Sequence, residues 1–258
     1  MQTYLFNWLP ALSLLIGLII QCDFMLKDPD SIELWLTLQQ GGIAHPPGYA
    51  LYLSLNGILL SLAPFKSQTQ LIVLLIFQMI LLTIALQLLK EKFKWSLLAS
   101  WFSVASLLLF KPFVYAATHL EVYALQVFLG CCAIFLYDRY GKSGLFYFVM
   151  GLLVAHHSSS LFLCITLILY LSHNKGFKHF YSLPLSLLPV IYNFAYLYWF
   201  GTKTNLRNQW YALDSFSDLF DFASAQNYAE VYITLPSSEQ LIHLLESATV
   251  SISPMFLL

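Results

Sequence analysis

A short stretch between the first apolar run and the rest of the chain combines two acids, a histidine and a pair of prolines. Asp30 and Glu33 are three residues apart, and His45 and Pro46 begin the run His-Pro-Pro-Gly-Tyr. A carboxylate can accept a proton from an attacking hydroxyl, and an imidazole can donate to an anionic leaving group. Ionisable groups beside apolar segments are costly, so they indicate a site. The stretch is therefore a candidate for acid–base chemistry.

Two further positions place ionisable groups where apolar runs meet. Glu121 lies between two such runs, and His156 and His157 interrupt the run 144–172. Each has a plainer interpretation, because a carboxylate is also favoured at a helix N-terminus and a histidine in an apolar region more often bonds to backbone. The spacing alone leaves both interpretations open.

The acids at 30 and 33 also have a structural interpretation. With Pro29 they resemble a capping box, in which both side chains satisfy the first N–H groups of a helix. Helical spacing also predicts an amphipathic helix that lies flat on a membrane surface with its acids outward. Its polar stripe would be Asp30, Glu33, Thr37 and Gln40, opposite Ile32, Trp35, Leu36 and Leu38. The prolines that follow could simply be a rigid exit from this helix.

The composition requires a membrane. Hydrophobic residues make up 59% and charged residues 10% of the chain, and the mean hydropathy of +0.71 is far above that of soluble domains. The net charge of −1 gives no reason to expect a nucleic-acid partner. The four cysteines show neither metal nor disulfide spacing and are interpreted as packing residues. Asp30, Glu33 and His45 are too few and too irregularly spaced to specify a metal, so none is predicted.

Apolar runs of the length needed to cross a bilayer, roughly 20 residues, supply the elements that position these groups. Clear runs are 5–22, 71–89, 95–115, 120–137 and 181–200. Two others are ambiguous. The run 48–65 could cross or lie on the surface, and the run 144–172 could be one tilted helix or two short ones broken at the histidines.

The distribution of bases decides between these arrangements, because short cytoplasmic loops are rich in lysine and arginine. The clustered bases lie in the connections 90–94, 138–142 and 175–178. All three fall on one side if 48–65 lies on the surface and 144–172 is a pair of short helices. This arrangement leaves eleven of the thirteen acids on the opposite, outer side. We therefore expect the candidate groups to converge there from four separate connections.

The predicted fold is an all-α integral membrane bundle. Residues 1–201 are expected to form a core of about seven spans, with juxtamembrane helices in a first outer loop at 23–70. Residues 202–258 are predicted to be an outer segment that leads into a further span, where the chain is expected to be truncated. This segment should contain a surface helix with Phe216, Leu219, Phe220 and Ala223 on its apolar side, and a second helix start at Pro236.

The order of these motifs resembles a known family. Asp-x-x-Glu is followed by His-Pro-Pro-Gly-Tyr, by Glu-Val-Tyr-Ala-Leu from Glu121, by Gly-Leu-Leu-Val-Ala-His-His from Gly151 and by a segment containing Trp210. This order is similar to that of the transmembrane protein 260-like protein O-mannosyltransferases and their bacterial relatives, members of the GT-C superfamily of membrane glycosyltransferases. The resemblance covers residues 30 to about 228 and is most specific over 30–49.

The resemblance implies a GT-C-like bundle and an activity. Such enzymes transfer a sugar from a polyprenyl phosphate to an acceptor hydroxyl on the extracytoplasmic face. We therefore expect transfer of a hexose such as mannose to a protein or glycan acceptor, with inversion at the anomeric carbon. No cofactor beyond the lipid-linked donor is expected, and a lipid monophosphate leaving group should let activity survive a chelator.

The site residues follow from the matched motifs. Asp30 matches the candidate general base, and Glu33 and Glu121 match further acids of the site. The substrate-binding candidates from the motifs are His45, Pro46, His157, Trp210 and Tyr228, although the last two could instead anchor the chain at the membrane interface. Arg207 and Lys111 are further outer-face candidates for binding the phosphate. Ile32 and His156 depart from the family pattern, which has glycine and asparagine there, so the acceptor pocket and the partner of His157 stay open.

Two other classes of protein remain as alternatives. A transporter would place its polar groups near the middle of the membrane, often in repeated halves, and a non-catalytic membrane subunit would need none of them. Compact loops and few arginines favour a bacterial inner membrane over the endoplasmic reticulum. The sugar, the acceptor and the oligomeric state are not determined by these residues.

Overall fold

The chain is mostly helical. A computed structural model describes residues 2–45, 49–62, 67–140, 144–175, 177–202, 208–209, 213 and 215–223. Its elements, in chain order, are α1 (Gln2–Gln21), α2 (Pro29–Gln40), β1 (Gly42–Ile43), α3 (Ala50–Leu62), α4 (Ser67–Phe93), α5 (Leu97–Leu109), α6 (Lys111–Thr118), α7 (Tyr123–Tyr140), α8 (Gly144–His156), α9 (Ser160–Lys175), a 3-10 helix (Phe177–Ser186), α10 (Leu187–Gly201), β2 (Asn208–Gln209) and α11 (Phe216–Ala223).

Within the described residues, two helical segments are long and apolar enough to cross a membrane, Ser67–Phe93 and Tyr181–Gly201. The bent pair α5 and α6 adds a third if it forms one span. Shorter apolar helices make up most of the remainder. These findings agree with an all-α membrane protein that has two or three candidate spans, and the count of about seven stays a prediction.

The run 95–115, predicted as one span, is broken. Helices α5 and α6 meet at an angle of 79° around Phe110. Pro112 stands in the first turn of α6. In a continuous helix it would have no N–H for the carbonyl four residues earlier, and its ring would clash with that carbonyl. A straight helix is therefore interrupted at this point.

The two ambiguous runs also form short helices. The run 144–172 divides into α8 and α9, with the break at His157–Ser159, so the pair of short helices is observed and the single tilted helix is not. Helix α3 has 13 residues, about 20 Å in length, which is less than the hydrocarbon thickness of about 30 Å. It packs against α2, α4, α8 and α10.

The core forms around α4, which is apolar on all sides and therefore suited to a buried position. Helices α1 and α7 pack along it, and α8 packs on α7. Leu18 of α1, Leu74 and Met79 of α4, and Phe146 of α8 are fully buried in one continuous cluster. This cluster fixes the relative positions of the helix ends at which the polar groups lie.

The ends of α4, α7 and α9 meet at one end of the bundle, which we call the basic end. Lys92 lies 5.7 Å from the centre of the Tyr137 ring, and the Tyr137 and Tyr170 rings are 5.5 Å apart. The C-terminal parts of these three helices therefore lie together. The start of α7 and the end of α8 lie at the opposite end, and the candidate site is there.

The chain after α10 folds back onto the bundle. Strand β2 pairs in parallel with β1, with Gly42 opposite Asn208. Helix α11 is present as predicted, but only Leu219 and Ala223 of its predicted apolar side lie in or against a core. Leu219 and Phe222 pack against Leu197 in a second small core, whereas Phe216 and Phe220 are exposed. The helix start at Pro236 and the further span lie outside the described residues.

Candidate active site

The N-terminus of α2 is capped by Asp28, not by the predicted pair Asp30 and Glu33. The Asp28 carboxylate accepts from the Ser31 N–H at 2.7 Å and from the Ser31 hydroxyl at 2.6 Å. Pro29 occupies the first helical position, where proline is favoured, so the cap is the residue directly before it, Asp28. The capping box was therefore the wrong interpretation, and Asp30 and Glu33 are left for other contacts.

The predicted stripe along α2 is also only partly correct. Ser31, Leu34, Trp35 and Thr37 are the buried side chains of this helix. Ile32 is exposed although it was assigned to the apolar side, and Glu33 is half-buried. The helix therefore packs its Ser31–Leu34–Trp35 side on the bundle, and Glu33 faces a neighbouring loop.

Glu33 holds His45 through two hydrogen bonds. Its Oε1 accepts from the His45 backbone N–H at 2.6 Å, and its Oε2 lies 2.8 Å from His45 Nδ1. The Tyr49 hydroxyl lies 3.3 Å from the other ring nitrogen, Nε2. A histidine bonded in this way has a fixed ring orientation. Glu33 therefore positions His45 for chemistry at Nε2.

The charges around His45 favour its protonated form. Burial lowers the pKa of His45, but the hydrogen bond to Glu33 and the negative charges of Glu33, Asp30 and Glu121 outweigh it, so the pKa is raised. Asp30 itself is exposed. The ring is therefore suited to face a developing negative charge.

The loop that carries Glu121 is held by three helices. The Ser31 hydroxyl of α2 donates to the Leu120 carbonyl at 3.1 Å, and Gln78 of α4 donates to the Glu121 carbonyl at 2.8 Å. His156 of α8 lies with Nε2 2.9 Å from the Val122 carbonyl. Three consecutive carbonyls are thus bound by buried side chains. This arrangement fixes the backbone at Glu121 next to the start of α2.

The Glu121 carboxyl is buried and close to other acids. Burial, and after it the negative charges of Asp28 and Asp30, raise its pKa to about 7 against the opposing effects of the Val122 N–H and His45. A carboxyl that titrates near neutral pH can both accept and donate a proton. The negative charge of Asp30 therefore acts on the Glu121 carboxyl.

The raised pKa of Glu121 predicts a pH-dependent stability. Between its usual pKa of 4.5 and about 7, the folded state holds more protons than the unfolded state, so stability falls as pH rises through this window. In Glu121→Gln the side chain is neutral at every pH, and this part of the fall should disappear. The thermal unfolding midpoint of the detergent-solubilised protein measured from about pH 4.5 to 8.5 tests this.

His45 gives that measurement an internal control. The pKa of His45 is raised from 6.5, so its contribution to stability is fully present below pH 6.5. That contribution is lost as pH rises through the pKa of the folded state, so His45 also makes stability fall with pH, but at higher pH than Glu121 does. Glu121→Gln should keep most of this upper part, because the hydrogen bond to Glu33 raises the pKa of His45 more than the charge of Glu121 does. Equal profiles for the variant and the unchanged protein below pH 6.5 would contradict the assignment to Glu121.

The two adjacent histidines have different surroundings. His156 is fully buried and bonds to backbone, which is the plainer of the two interpretations of this pair. His157 is half-buried, and its Nδ1 lies 2.9 Å from the Ser159 hydroxyl. Its ring lies 5.9 Å from that of Tyr49 and 6.2 Å from that of Tyr123. His157 therefore shares Tyr49 with the His45 side of the site.

Asp30, Glu33 and His45 could also offer ligand atoms to a metal ion, since one such atom from each lies within 4.8 Å of the others. Both Glu33 oxygens are, however, already bonded to His45. Glu33 and His45 therefore form a hydrogen-bonded carboxylate–imidazole pair, with the exposed carboxylate of Asp30 nearby. The prediction that no metal is needed stays untested.

Several predicted site residues are not among those that the structure describes. Pro46, Arg207, Trp210 and Tyr228 all lie outside the described residues. Lys111 is described, and it is an exposed residue at the start of α6, beside the break between the helices.

An apolar groove of about 710 Å³ lies beside α2, between α3 and α10. Leu53 and Ile58 line one wall, and Tyr196 and Trp199 line the other. Thr37 is buried at the groove, and its hydroxyl has no hydrogen-bond partner among the described residues. The groove is therefore suited to an extended apolar ligand that carries few polar atoms.

Sequence reasoning missed Tyr49, Asp28 and Gln78. Tyr49 stood inside the His-Pro-Pro-Gly-Tyr run, four residues after His45, and Asp28 stood directly before a proline that begins a helix. These two patterns are local and could have been used. Gln78 is an amide in the middle of an apolar helix, and only the fold shows that it holds the Glu121 carbonyl.

Comparison of the chain with protein-family models, with curated proteins and with solved structures finds no match. The likeness to the GT-C superfamily therefore rests on the order of the motifs alone.

Proposed function

We propose that this protein is a membrane glycosyltransferase that moves a sugar from a polyprenyl phosphate to an acceptor hydroxyl. One observation carries the proposal, the convergence of Asp30, Glu121 and the Glu33–His45 pair from two distant connections of the chain. Two acids beside an oriented imidazole are what proton removal and phosphate departure require. Helices apolar enough to cross a membrane support a lipid-linked donor.

In the proposed reaction, Asp30 takes the proton of the acceptor hydroxyl. The acceptor oxygen forms a bond to the anomeric carbon while the bond from that carbon to the phosphate oxygen breaks, so the configuration is inverted. Asp30 suits this role because it is exposed and can be reached by a large acceptor. Glu121 is buried. When it is ionised, its carboxylate stabilises the positive charge that develops on the sugar ring.

The departing polyprenyl phosphate gains negative charge. Protonated His45 is our candidate to neutralise that charge, because Glu33 raises its pKa and directs its ring. In this proposal Glu33 is a positioning residue rather than a second base. His157, with its ring beside Tyr49, is a candidate for contact with the sugar.

The apolar groove between α3 and α10 is the proposed place of the donor's prenyl chain. A Cβ atom added at Gly57, on the groove wall, would meet no atom within 4 Å. Gly57→Phe should therefore fill the groove without disturbing the bundle. We expect a KM for the polyprenyl-linked donor at least about tenfold higher, with an unchanged melting midpoint.

Gly57→Ala, which leaves most of the groove open, is the matched control for donor binding. It should keep the KM of the unchanged protein. A Gly57→Phe protein with normal KM would remove the groove from the proposal but would leave the reaction itself standing.

The reaction is tested by reconstituting the full chain in liposomes with candidate polyprenyl-phosphate hexoses and peptide or glycan acceptors. Mass analysis should find one hexose added to the acceptor, in a reaction that depends on Asp30. The absence of product with every donor and acceptor pair, from protein that melts cooperatively, would count against a transferase.

A transporter is the second candidate, favoured by the 79° break between α5 and α6, because discontinuous helices are common at transport sites. Solute uptake by the same liposomes without any transfer product would support it.

We also propose, from the base-rich end of the bundle, that the candidate site faces away from the cytoplasm in a bacterial inner membrane.

A further inference from the structure

A pocket that is separate from the apolar groove lies at the basic end of the bundle, away from the candidate active site. It has a volume of about 470 Å³ and opens between the start of α1 and the turn that ends α4. Trp8 and Trp95 line it, and its charged residues are Lys90, Lys94 and one acid, Glu91. Tryptophan is enriched at the interface of membrane and water, so this is a position at which lipid headgroups are found.

Lys90 is the unusual member of this pocket, because its side chain is 8% exposed. Its ammonium group donates to the backbone carbonyl of Asn7 in α1. One of the three ammonium protons is used in this way, which leaves two.

No carboxylate of the described residues lies within 4.0 Å of the Lys90 ammonium group. The nearby acid, Glu91, accepts instead from the Gln87 amide at 3.1 Å. A buried positive charge without a counter-ion is costly. The position therefore favours an anion that comes from outside the chain.

Gln87 supplies the second polar feature. It is 4% exposed and lines the pocket, and its side-chain oxygen has no hydrogen-bond partner in the described part of the chain. That oxygen can only accept a hydrogen bond. A ligand that fits both groups must carry a negative charge for Lys90 and a hydroxyl for Gln87.

The turn after α4 brings the remaining groups into place. Lys94 has φ 52°, in the left-handed region, and the Trp95 N–H bonds back to the Lys90 carbonyl at 3.1 Å. This is the geometry of a Schellman helix end. It returns Lys94 and Trp95 to the side of Lys90, so two lysines face the same opening.

We propose that this pocket binds the headgroup of an anionic phospholipid whose phosphodiester is followed by a hydroxylated group, as in phosphatidylglycerol. The phosphate accepts from Lys90 and Lys94, the headgroup hydroxyl donates to Gln87, and Trp8 and Trp95 lie against the glycerol and acyl region. Charge-assisted bonds to phosphate supply the main attraction. This site is independent of the proposed transferase reaction.

The test uses the full-length protein in detergent micelles and measures its thermal unfolding midpoint with added lipid. Phosphatidylglycerol should raise the midpoint, whereas phosphatidylcholine at the same concentration should not. Inorganic phosphate is the third addition, because it carries the same charge without the lipid. A rise with inorganic phosphate equal to that with phosphatidylglycerol would show a free-anion site and overturn the lipid proposal.

Lys94→Gln is the first variant, because Lys94 is exposed and its loss should leave the fold intact. We expect about fivefold weaker lipid binding for this one charge removed. Lys90→Met, which keeps the length of the side chain, should abolish the lipid-dependent rise. Lys27→Gln is the control, since Lys27 is exposed and pairs with Asp23 in the connection between α1 and α2.

Lys27→Gln should keep the full rise in midpoint. An equal loss in Lys27→Gln and Lys94→Gln would show non-specific attraction to a charged lipid. That result, or the absence of any rise in the unchanged protein, overturns the proposal. None of these measurements depends on sugar transfer, so they test the lipid site whether or not the protein has transferase activity.

Discussion

Replacing Asp30 by asparagine is expected to lower sugar transfer by about 10²- to 10⁴-fold, which is the usual contribution of a general base. The amide has nearly the same shape as the carboxylate but cannot accept the proton of the acceptor hydroxyl. Asp30 is exposed, and the cap of α2 is supplied by Asp28, so the fold should not depend on its charge. The measurement is the initial rate of hexose transfer in liposomes, with the melting midpoint as a check on folding.

Asp23→Asn is the matched control for this variant. Asp23 is an exposed carboxylate in the connection between α1 and α2, and it forms a salt bridge with Lys27 in the same connection. Its removal changes the net charge by the same amount as Asp30→Asn and should leave transfer unchanged. An Asp30→Asn protein that transfers sugar at the normal rate would falsify the assignment of the base, and Glu121, with its pKa of about 7, would become the candidate.

The largest effect on stability is expected from Gly151→Ala. A Cβ atom at Gly151 would lie 2.2 Å from the Ser186 carbonyl oxygen, at the contact of α8 with the 3-10 helix. That neighbour is backbone and cannot rotate away as a side chain would, so the two helices must separate. Overpacking of this kind costs about 1–3 kcal/mol, and in a membrane bundle small residues are what allow backbones to approach closely.

Gly57→Ala is the control for Gly151→Ala, because both exchange a helical glycine for alanine. The added methyl group at Gly57 meets no atom within 4 Å, so only the better helix propensity of alanine remains, a gain of up to about 1 kcal/mol. We therefore expect opposite shifts of the thermal midpoint, down for Gly151→Ala and up or unchanged for Gly57→Ala. Equal shifts would mean that α8 and the 3-10 helix are not packed as described.

The sequence predicted the local elements of this structure well where composition and spacing are sufficient. The long apolar run at 71–89 is within α4, the histidine pair does divide 144–172, and a helix does cover 216–223. It was less accurate where a single residue decides the local geometry. Pro29 moved the cap to Asp28, and Pro112 in the first turn of α6 accompanies the break in the run 95–115.

The faces of the short amphipathic helices were harder to predict. On α11 the buried residues are Leu219 and Phe222, while Phe216 is exposed. On α2, Thr37 is buried although it belonged to the polar stripe. A helix has several faces of similar hydrophobicity when most of its residues are apolar, so the partner helix, and not the pattern, selects the buried one.

By itself, the sequence determined that the chain is helical and suited to a membrane, and which polar groups stand out from its apolar runs. The tertiary structure alone decided which of those groups meet. Ser31, Gln78 and His156 come from three different helices, and each binds one of the carbonyls of Leu120, Glu121 and Val122. Hydropathy and helical spacing depend on residues within a few turns of one another. The position of Glu121 beside Asp30 depends instead on the packing of helices that are far apart in the chain.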